Sequence, residues 1–452
     1  MSRTTTEAHG DAKTMRRVAF ASGTGTTIEF YDFFIYGTAA ALVFPTVFFP
    51  ALGSTAGTVA SFATYAVAFG ARPLGALLFG HFGDRLGRKT TLITTLLLMG
   101  VATVLIGLIP SSDSIGVAAP IILIALRICQ GLAVGGEWAG ATLLAAEYAP
   151  PTKRGLYAIF PQLGPAIAFA LSSGTFLIVN QFVGETSDAF VTWGWRIPFI
   201  ASALLVLVGL YVRLKVEETP VFKRQAAEAA NNPAPKGSVL EVFWKQPREL
   251  LLAGGALAMM FAFFYTGTAY LTAYGTTALG LERGTVLSLG IGASVIFAAS
   301  VIVSNLYSDR VGRRKVVIGS CVLSIPWGFA LFPILDNGTP LAFFIGLSLT
   351  LCIMGISYGP AGALLPEMFQ TRYRYTGAGM AYAIAAVIGG GTAPILATDL
   401  TADHGSGAVG WMLAGFGLLS LLCALAMPET QHRALEGQPT PTEKRHPIPE
   451  TA

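Results

Sequence analysis

Glu29 and Asp32 stand three residues apart in an otherwise apolar stretch, and Tyr36 follows four residues later. On a helix the three share one face. Two carboxylates that close repel each other when both are charged, so one of them holds a proton near neutrality. That is the chemistry of a protein that couples work to proton flow; the alternative is a structural ion pair near a helix end. Arg127, Gln130, Gly131, Val134 and Glu137 are also spaced for a single helical face. The planar fork of Arg127 suits a carboxylate. It either binds an anionic solute or serves as the fixed counter-ion of Glu137, Asp32 or Glu29, because buried charges are normally paired. Proton coupling is therefore expected of Asp32, Glu29 and Glu137, and solute contact of Arg127, Tyr36 and Gln130. Gln162, polar in an apolar run, and Tyr265, among the aromatics Phe261, Phe263, Phe264, Tyr270 and Tyr274, are further solute contacts. The aromatics could equally face lipid.

These residues lie in a chain that has few charges to spend. It has 452 residues, of which 12% are charged and 53% apolar, and its mean hydropathy is +0.62. An ordinary soluble domain carries about 25% charged residues. A soluble enzyme is thereby excluded, and an ionisable residue at membrane depth becomes a functional hypothesis in itself. Apolar runs fall near 18–44, 57–80, 90–110, 117–142, 155–180, 195–214, 249–276, 285–307, 316–335, 340–364, 375–399 and 407–427. Each is about the 20 residues a spanning helix needs. The expected fold is an all-α membrane protein of twelve transmembrane helices.

Charge sets the orientation. Of 29 Lys and Arg, only Arg196 and Arg283 lie on one side, and Arg72 and Arg127 lie within spans. The rest alternate onto the other side, which places both termini in the cytoplasm. Arg72, eight residues before Gly80, is expected toward the cytoplasmic end as a gate or snorkelling residue. The net charge of +4 follows from these loops and does not call for nucleic acid. Among the apolar spans, the first half holds Glu29, Asp32, Arg72, Arg127 and Glu137, whereas the second half holds no ionisable residue in its interiors. The four cysteines, Cys129, Cys321, Cys352 and Cys423, all fall in apolar runs, so neither a disulfide framework nor a metal site is expected.

The chain repeats itself. Gly80-His-Phe-Gly-Asp84-Arg85-Leu-Gly87-Arg88-Lys89 follows the second span, and Asn305-Leu-Tyr-Ser-Asp309-Arg310-Val-Gly312-Arg313-Arg314 follows the eighth. Glu147 with Arg154 follows the fourth span, and Glu367 with Arg374 follows the tenth at the same seven-residue spacing. Two unlike motifs repeated at nearly one offset indicate two parallel six-helix halves, an arrangement that rocks around a midplane site. The expected division is a cytoplasmic tail 1–17, a bundle 18–216, a central cytoplasmic loop 217–248, a second bundle 249–428 and a flexible cytoplasmic tail 429–452.

The motif Gly-x-x-x-Asp-Arg-x-Gly-Arg-Arg/Lys resembles the signature of the major facilitator superfamily. It is complete at 80–89 and lacks only its leading glycine at 305–314, where Asn305 stands. Within that superfamily the chain resembles the metabolite:H⁺ symporter branch. The resemblance rests on Glu29-Phe-Tyr-Asp32-Phe, Arg72-Pro73-Leu-Gly75, Gln130-Gly-x-x-x-Gly135-Gly136-Glu137, Trp193-Gly-Trp195-Arg196, Glu218-Thr-Pro220 and Leu365-Pro366-Glu367 with Arg374-Tyr-Thr-Gly377. That branch carries shikimate, 2-oxoglutarate, citrate, proline and betaine. The resemblance implies proton-coupled uptake of a small polar metabolite, with an organic acid first because Arg127 is a ready partner. A proline- or betaine-type osmolyte is second, and a proton-driven exporter third. It implies gating roles for Gly80, Asp84, Arg85, Gly87 and Arg88, and in the second copy for Asp309, Arg310 and Arg313. Arg72, Glu147, Arg154, Glu367 and Arg374 are expected as charges at the cytoplasmic end. No enzyme motif is present, and no cofactor is expected beyond the proton. The expected partners are a solute and the bilayer of the cell membrane, with the protein as a monomer.

Overall fold

A backbone in hydrocarbon has no water to bond, so an apolar run must satisfy its own N–H and C=O groups as a helix. The computed structural model describes residues 12–86, 88–135, 154–184, 187–215, 241–370 and 374–430, with the side chains at 12–21, 80–89, 154–158, 215 and 375 set aside. Among the described residues every regular element is helical. The twelve long helices are α1 (Ala12–Leu42), α2 (Gly53–Leu86), α3 (Arg88–Leu108), α4 (Ala118–Gly135), α5 (Arg154–Val183), α6 (Arg196–Lys215), α7 (Pro247–Thr277), α8 (Arg283–Val311), α9 (Arg313–Leu335), α10 (Pro340–Met368), α11 (Arg374–Ala385 and Ala393–His404) and α12 (Ser406–Ala426). Single π-helical turns interrupt α7 at Thr266–Tyr270 and α11 at Ala386–Gly391, and another, Phe190–Gly194, precedes α6.

Eleven of the twelve are long and apolar enough to cross a membrane. The exception is α1, whose 31 residues include Glu29 and Asp32, the same side chains that suggested chemistry. Outward faces carry large apolar side chains, such as Val101 and Leu105 on α3 and Leu204 and Leu207 on α6, as lipid requires.

Two helices extend beyond their expected apolar runs, and a short helix lies in the expected central loop. α1 begins inside the tail expected at 1–17. A short helix, Glu241–Lys245, occupies the end of the loop expected at 217–248, whose residues 216–240 lie outside the described set. α11 continues five residues beyond its expected run, to His404, and so takes Asp403 into its length. In α1 and α11 helical hydrogen bonding continues past the apolar run as long as no breaker intervenes, whereas Glu241–Lys245 is a separate turn that Gln246 divides from α7. The tail expected to be flexible from 429 begins pinned, because Thr430 is buried and bonded to Glu367.

Two contacts decide where the interior charges stand. α2 and α4 cross with backbones touching: a Cβ on Gly131 would collide with the Ala68 carbonyl, one on Gly135 with the Arg72 carbonyl, and one on Gly75 with the Leu132 carbonyl. Small residues at such a crossing let helices approach closely in lipid, and here they bring Arg72 and Arg127 to one wall. The first six and last six helices then meet along α5 with α8 and α10, α2 with α11, and α1 with α7.

Candidate functional site

The site lies between the two sets of helices and is lined mostly by the first. α1 brings Glu29, Asp32 and Tyr36, all buried, on one face. Asp32 Oδ2 accepts a hydrogen bond from the Thr103 hydroxyl of α3 at 2.7 Å. The Gln130 side-chain amide of α4 donates to the same Thr103 oxygen at 2.7 Å. Arg127 Nη1 in turn donates to Gln130 Oε1 at 2.6 Å. Asp32 and Arg127 are thus joined end to end by two neutral side chains.

The Arg127 guanidinium is fully buried and lies 3.7 Å from the centre of the Tyr36 ring, with Phe33 at 4.9 Å and Tyr65 at 5.0 Å. Its Nη2 donates to the Tyr65 carbonyl at 3.4 Å. A cation over aromatic faces is stabilised by their quadrupoles, which lets Arg127 remain charged without a carboxylate against it. Among the described residues no carboxylate lies within ion-pairing distance of it. Glu137, one of its expected counter-ions, lies outside the described residues. The Tyr36 hydroxyl is shared with Thr64 at 2.6 Å, so Tyr36 offers the site its ring.

Arg72 lies in the C-terminal half of α2. It stands 14 residues before the last residue of α2 and is buried between the rings of Phe33 and Phe69, 4.4 Å from each centre. The glycine crossing with α4 seats this part of α2 in the interior. Both guanidiniums flank Phe33, at 4.4 and 4.9 Å, so ~9.3 Å is the most that separates them. Nε and Nη1 of Arg72 make no hydrogen bond among the described residues. Tyr265 of α7 packs against this wall, its ring centre 4.8 Å from that of Phe69 and 5.5 Å from that of Tyr65. Its hydroxyl faces Arg72 without completing a hydrogen bond. All six expected aromatics of α7 are buried, so none is a lipid anchor. Phe264 meets Phe30 and Phe34 of α1 at 6.0 and 5.3 Å. Gln162 donates to the Tyr358 carbonyl of α10 at 2.5 Å and so ties the two sets of helices together. Its Oε1 makes no hydrogen bond among the described residues.

The second signature loop forms a separate cluster at the end where α12 finishes. Arg313 pairs with Asp309 at 2.5 Å and approaches Glu367 at 3.7 Å. Thr430 donates to Glu367 at 2.8 Å, and Glu429 accepts from the backbone N–H of Arg313 at 3.0 Å. A carboxylate at a helix N-terminus is favoured by the helix dipole. Arg310 is exposed and Arg374 donates to the Pro366 carbonyl at 3.0 Å. Glu147 and Gly87 lie outside the described residues, as do the side chains at Gly80, Asp84, Arg85, Arg88 and Arg154.

Thr103 escaped the sequence reading, as did the ring wall of Phe33, Tyr65 and Phe69. The only signal for Thr103 was a hydroxyl in an apolar run, and α3 holds Thr90, Thr91, Thr94 and Thr95 as well.

Residues 18–441 match the family model described as sugar (and other) transporter. The inner membrane metabolite transport protein YhjE of Escherichia coli (strain K12) is 46% identical over 424 residues, covering 93% of this chain and 95% of that protein. The shikimate transporter of the same organism is 38% identical over 429 residues, covering 92% and 95%. Among solved structures, the xylose transporter XylE from E. coli, in a partially occluded inward open conformation, superposes with a TM-score of 0.72 at 18% identity, covering 94% of this chain and 100% of that one.

Proposed function

Since the chain belongs to the sugar (and other) transporter family of the major facilitator superfamily, and is a multi-pass membrane transporter and not an enzyme, we propose that it takes up a small carboxylate together with a proton. The observation that carries this reading is Arg127: among the described residues its buried guanidinium is held by rings and an amide and by no acid. Such a cation is poised for an anion that arrives and leaves. Arg72 adds a second cation on the same wall, with donors to spare. The neutral hydroxyl of Tyr265 faces them from the other half, which suits a solute with one acidic end and one hydroxylated or carbonyl end.

Asp32 is the proton carrier in this reading, with Glu29 one turn before it and Glu137 as a third acid of the same half. A proton on Asp32 and an anion at Arg127 enter together, and the loaded carrier rocks inward. The alternation of Lys and Arg puts the end where α1 begins and α12 finishes in the cytoplasm. Each charge moved contributes about 2.3 kcal/mol per 100 mV, and each pH unit about 1.4 kcal/mol.

The test is reconstitution in liposomes that enclose a pH dye. Shikimate, 2-oxoglutarate, citrate, a short monocarboxylate, proline and betaine are added in turn. Internal acidification with a carboxylate, lost in Asp32→Asn, is the expected result. Acidification with betaine or proline alone would overturn the carboxylate reading, and carboxylate entry without acidification would overturn the proton reading.

A further inference from the structure

We propose that Thr103 is the coupling residue: its single hydroxyl conveys the protonation state of Asp32, through Gln130, to the solute-binding Arg127. The proposal rests on the proton-symport reading above.

The Thr103 hydroxyl is fully buried and sits within bonding distance of three groups. These are Asp32 Oδ2 at 2.7 Å, the Met99 carbonyl at 3.0 Å and the Gln130 amide nitrogen at 2.7 Å. It has one hydrogen and two lone pairs to distribute among them. When Asp32 is ionised, the hydrogen goes to the carboxylate, because a charged acceptor makes the stronger bond. That polarises the oxygen, which then accepts more strongly from Gln130; Gln130 Oε1 accordingly holds Arg127 Nη1 more firmly. Hydrogen bonds in series reinforce one another in this way.

Protonation of Asp32 reverses the first link. The carboxylic acid is now the donor, and the Thr103 oxygen receives its O–H. The Thr103 hydrogen turns to the Met99 carbonyl, which already lies at 3.0 Å. The oxygen's lone pairs are shared between two donors, the hold on Gln130 slackens, and Nη1 of Arg127 is released toward an incoming carboxylate. Proton binding thus strengthens anion binding, and by reciprocity anion binding strengthens proton binding. No helix has to move, because the switch is the rotation of one hydroxyl.

Among the described residues the ionisable groups near Asp32 are Glu29, Tyr31 and Tyr36 on α1, Arg72 and Tyr65 on α2, Arg127 on α4 and Tyr265 on α7. α3 offers Asp32 the Thr103 hydroxyl. The described side chains of α5 include no ionisable group. α6 brings Arg196 and Arg213 to carbonyls of the α3 region: Gly107 and Ile109 for the first, Leu92 for the second.

The experiment measures the KM for a transported carboxylate against external pH in proteoliposomes. The wild type should bind about tenfold more tightly on the acid side of the transition than on the alkaline side, roughly what gain or loss of one charge-assisted bond supplies. Thr103→Val, which keeps the shape and removes the hydroxyl, should flatten that pH dependence to less than about twofold. Thr103→Ser, which keeps the hydroxyl, should restore it. A full pH dependence in Thr103→Val overturns the proposal, as does a Thr103→Ser protein that transports but remains flat. Gln130→Leu breaks the next link and should be flat as well; a full response there also overturns it. Asp32→Asn separates the two readings. If its pH dependence equals that of the wild type, the proton site is elsewhere and the symport reading fails first. If Asp32→Asn is flat and Thr103→Val is not, only the relay fails.

Discussion

Arg283, in the first turn of α8, donates to the side-chain oxygen of Asn180 near the end of α5 at 3.0 Å, and its guanidinium lies 3.9 Å from the centre of the Phe190 ring. One residue of the last six helices thereby holds α5 and the turn that precedes α6, at the end of the molecule away from the start of α1 and the finish of α12. The same two helices continue in contact inward, where Gly290 meets Phe169 and Ser173. The two sets of helices thus meet along this face.

The clasp is half-buried, so its loss should cost about 1 kcal/mol and shift the opening equilibrium about fivefold. Arg283→Ala should therefore speed maleimide labelling of a Ser173→Cys probe by about that factor, in a background free of the four native cysteines. An unchanged labelling rate would mean that Arg283 does not hold this face shut.

Tyr265→Phe should move stability and transport in opposite directions. The hydroxyl is buried and, among the described residues, faces Arg72 without completing a hydrogen bond, a state that costs about 1–3 kcal/mol. Its removal should raise the melting temperature in detergent while raising KM for a hydroxylated carboxylate severalfold. A rise in KM without any gain in stability would mean that the hydroxyl is satisfied before the solute arrives.

Arg127→Lys retains charge but loses the planar fork and the stack on Tyr36. KM for a carboxylate should rise at least about tenfold, equivalent to ~1.4 kcal/mol. Zwitterion uptake, where it can be measured, should change little. Equal loss for both classes would assign Arg127 to internal structure.

Gly135→Ala forces a methyl group into the Arg72 carbonyl and the Ala76 nitrogen of α2. Both obstacles are backbone, so the helices must separate, at a cost of about 1–3 kcal/mol. Gly415→Ala on α12 meets nothing within 4 Å and should be neutral or slightly stabilising. Thermal unfolding of the two variants side by side checks the contrast; equal melting temperatures would show that the α2–α4 crossing relaxes freely.

Much of this architecture was legible in the sequence. Apolar runs marked all twelve helices because hydrocarbon allows the backbone no other solution, and the Asp-Arg-x-Gly-Arg repeat marked the two halves. The acids and Arg127 stood out because charge inside an apolar run is costly. Depth and partnership were not legible. The distance of Arg72 from Gly80 along the chain does not show that its guanidinium is buried between Phe33 and Phe69, which depends on the glycine crossing with α4. The link between Asp32 and Arg127 passes through Thr103, 71 residues from one and 27 from Gln130, and no local spacing encodes it. The charge-free interior of the second half hid its contribution, which is made of rings and one hydroxyl.

α1 falls short of the apolarity that marks the other eleven helices, and that has a consequence for how the protein is made. On insertion scales an acid at the helix centre costs about 2.5–3.5 kcal/mol, whereas each Phe or Ile returns only about 0.3–0.6. Of the twelve helices, the first to be synthesised is therefore the one least able to enter lipid alone. Asp32 acquires its Thr103 partner only when α3 has been synthesised. We expect nascent α1 to wait beside the insertion machinery until later helices arrive, so that the residues serving transport also dictate the order of assembly.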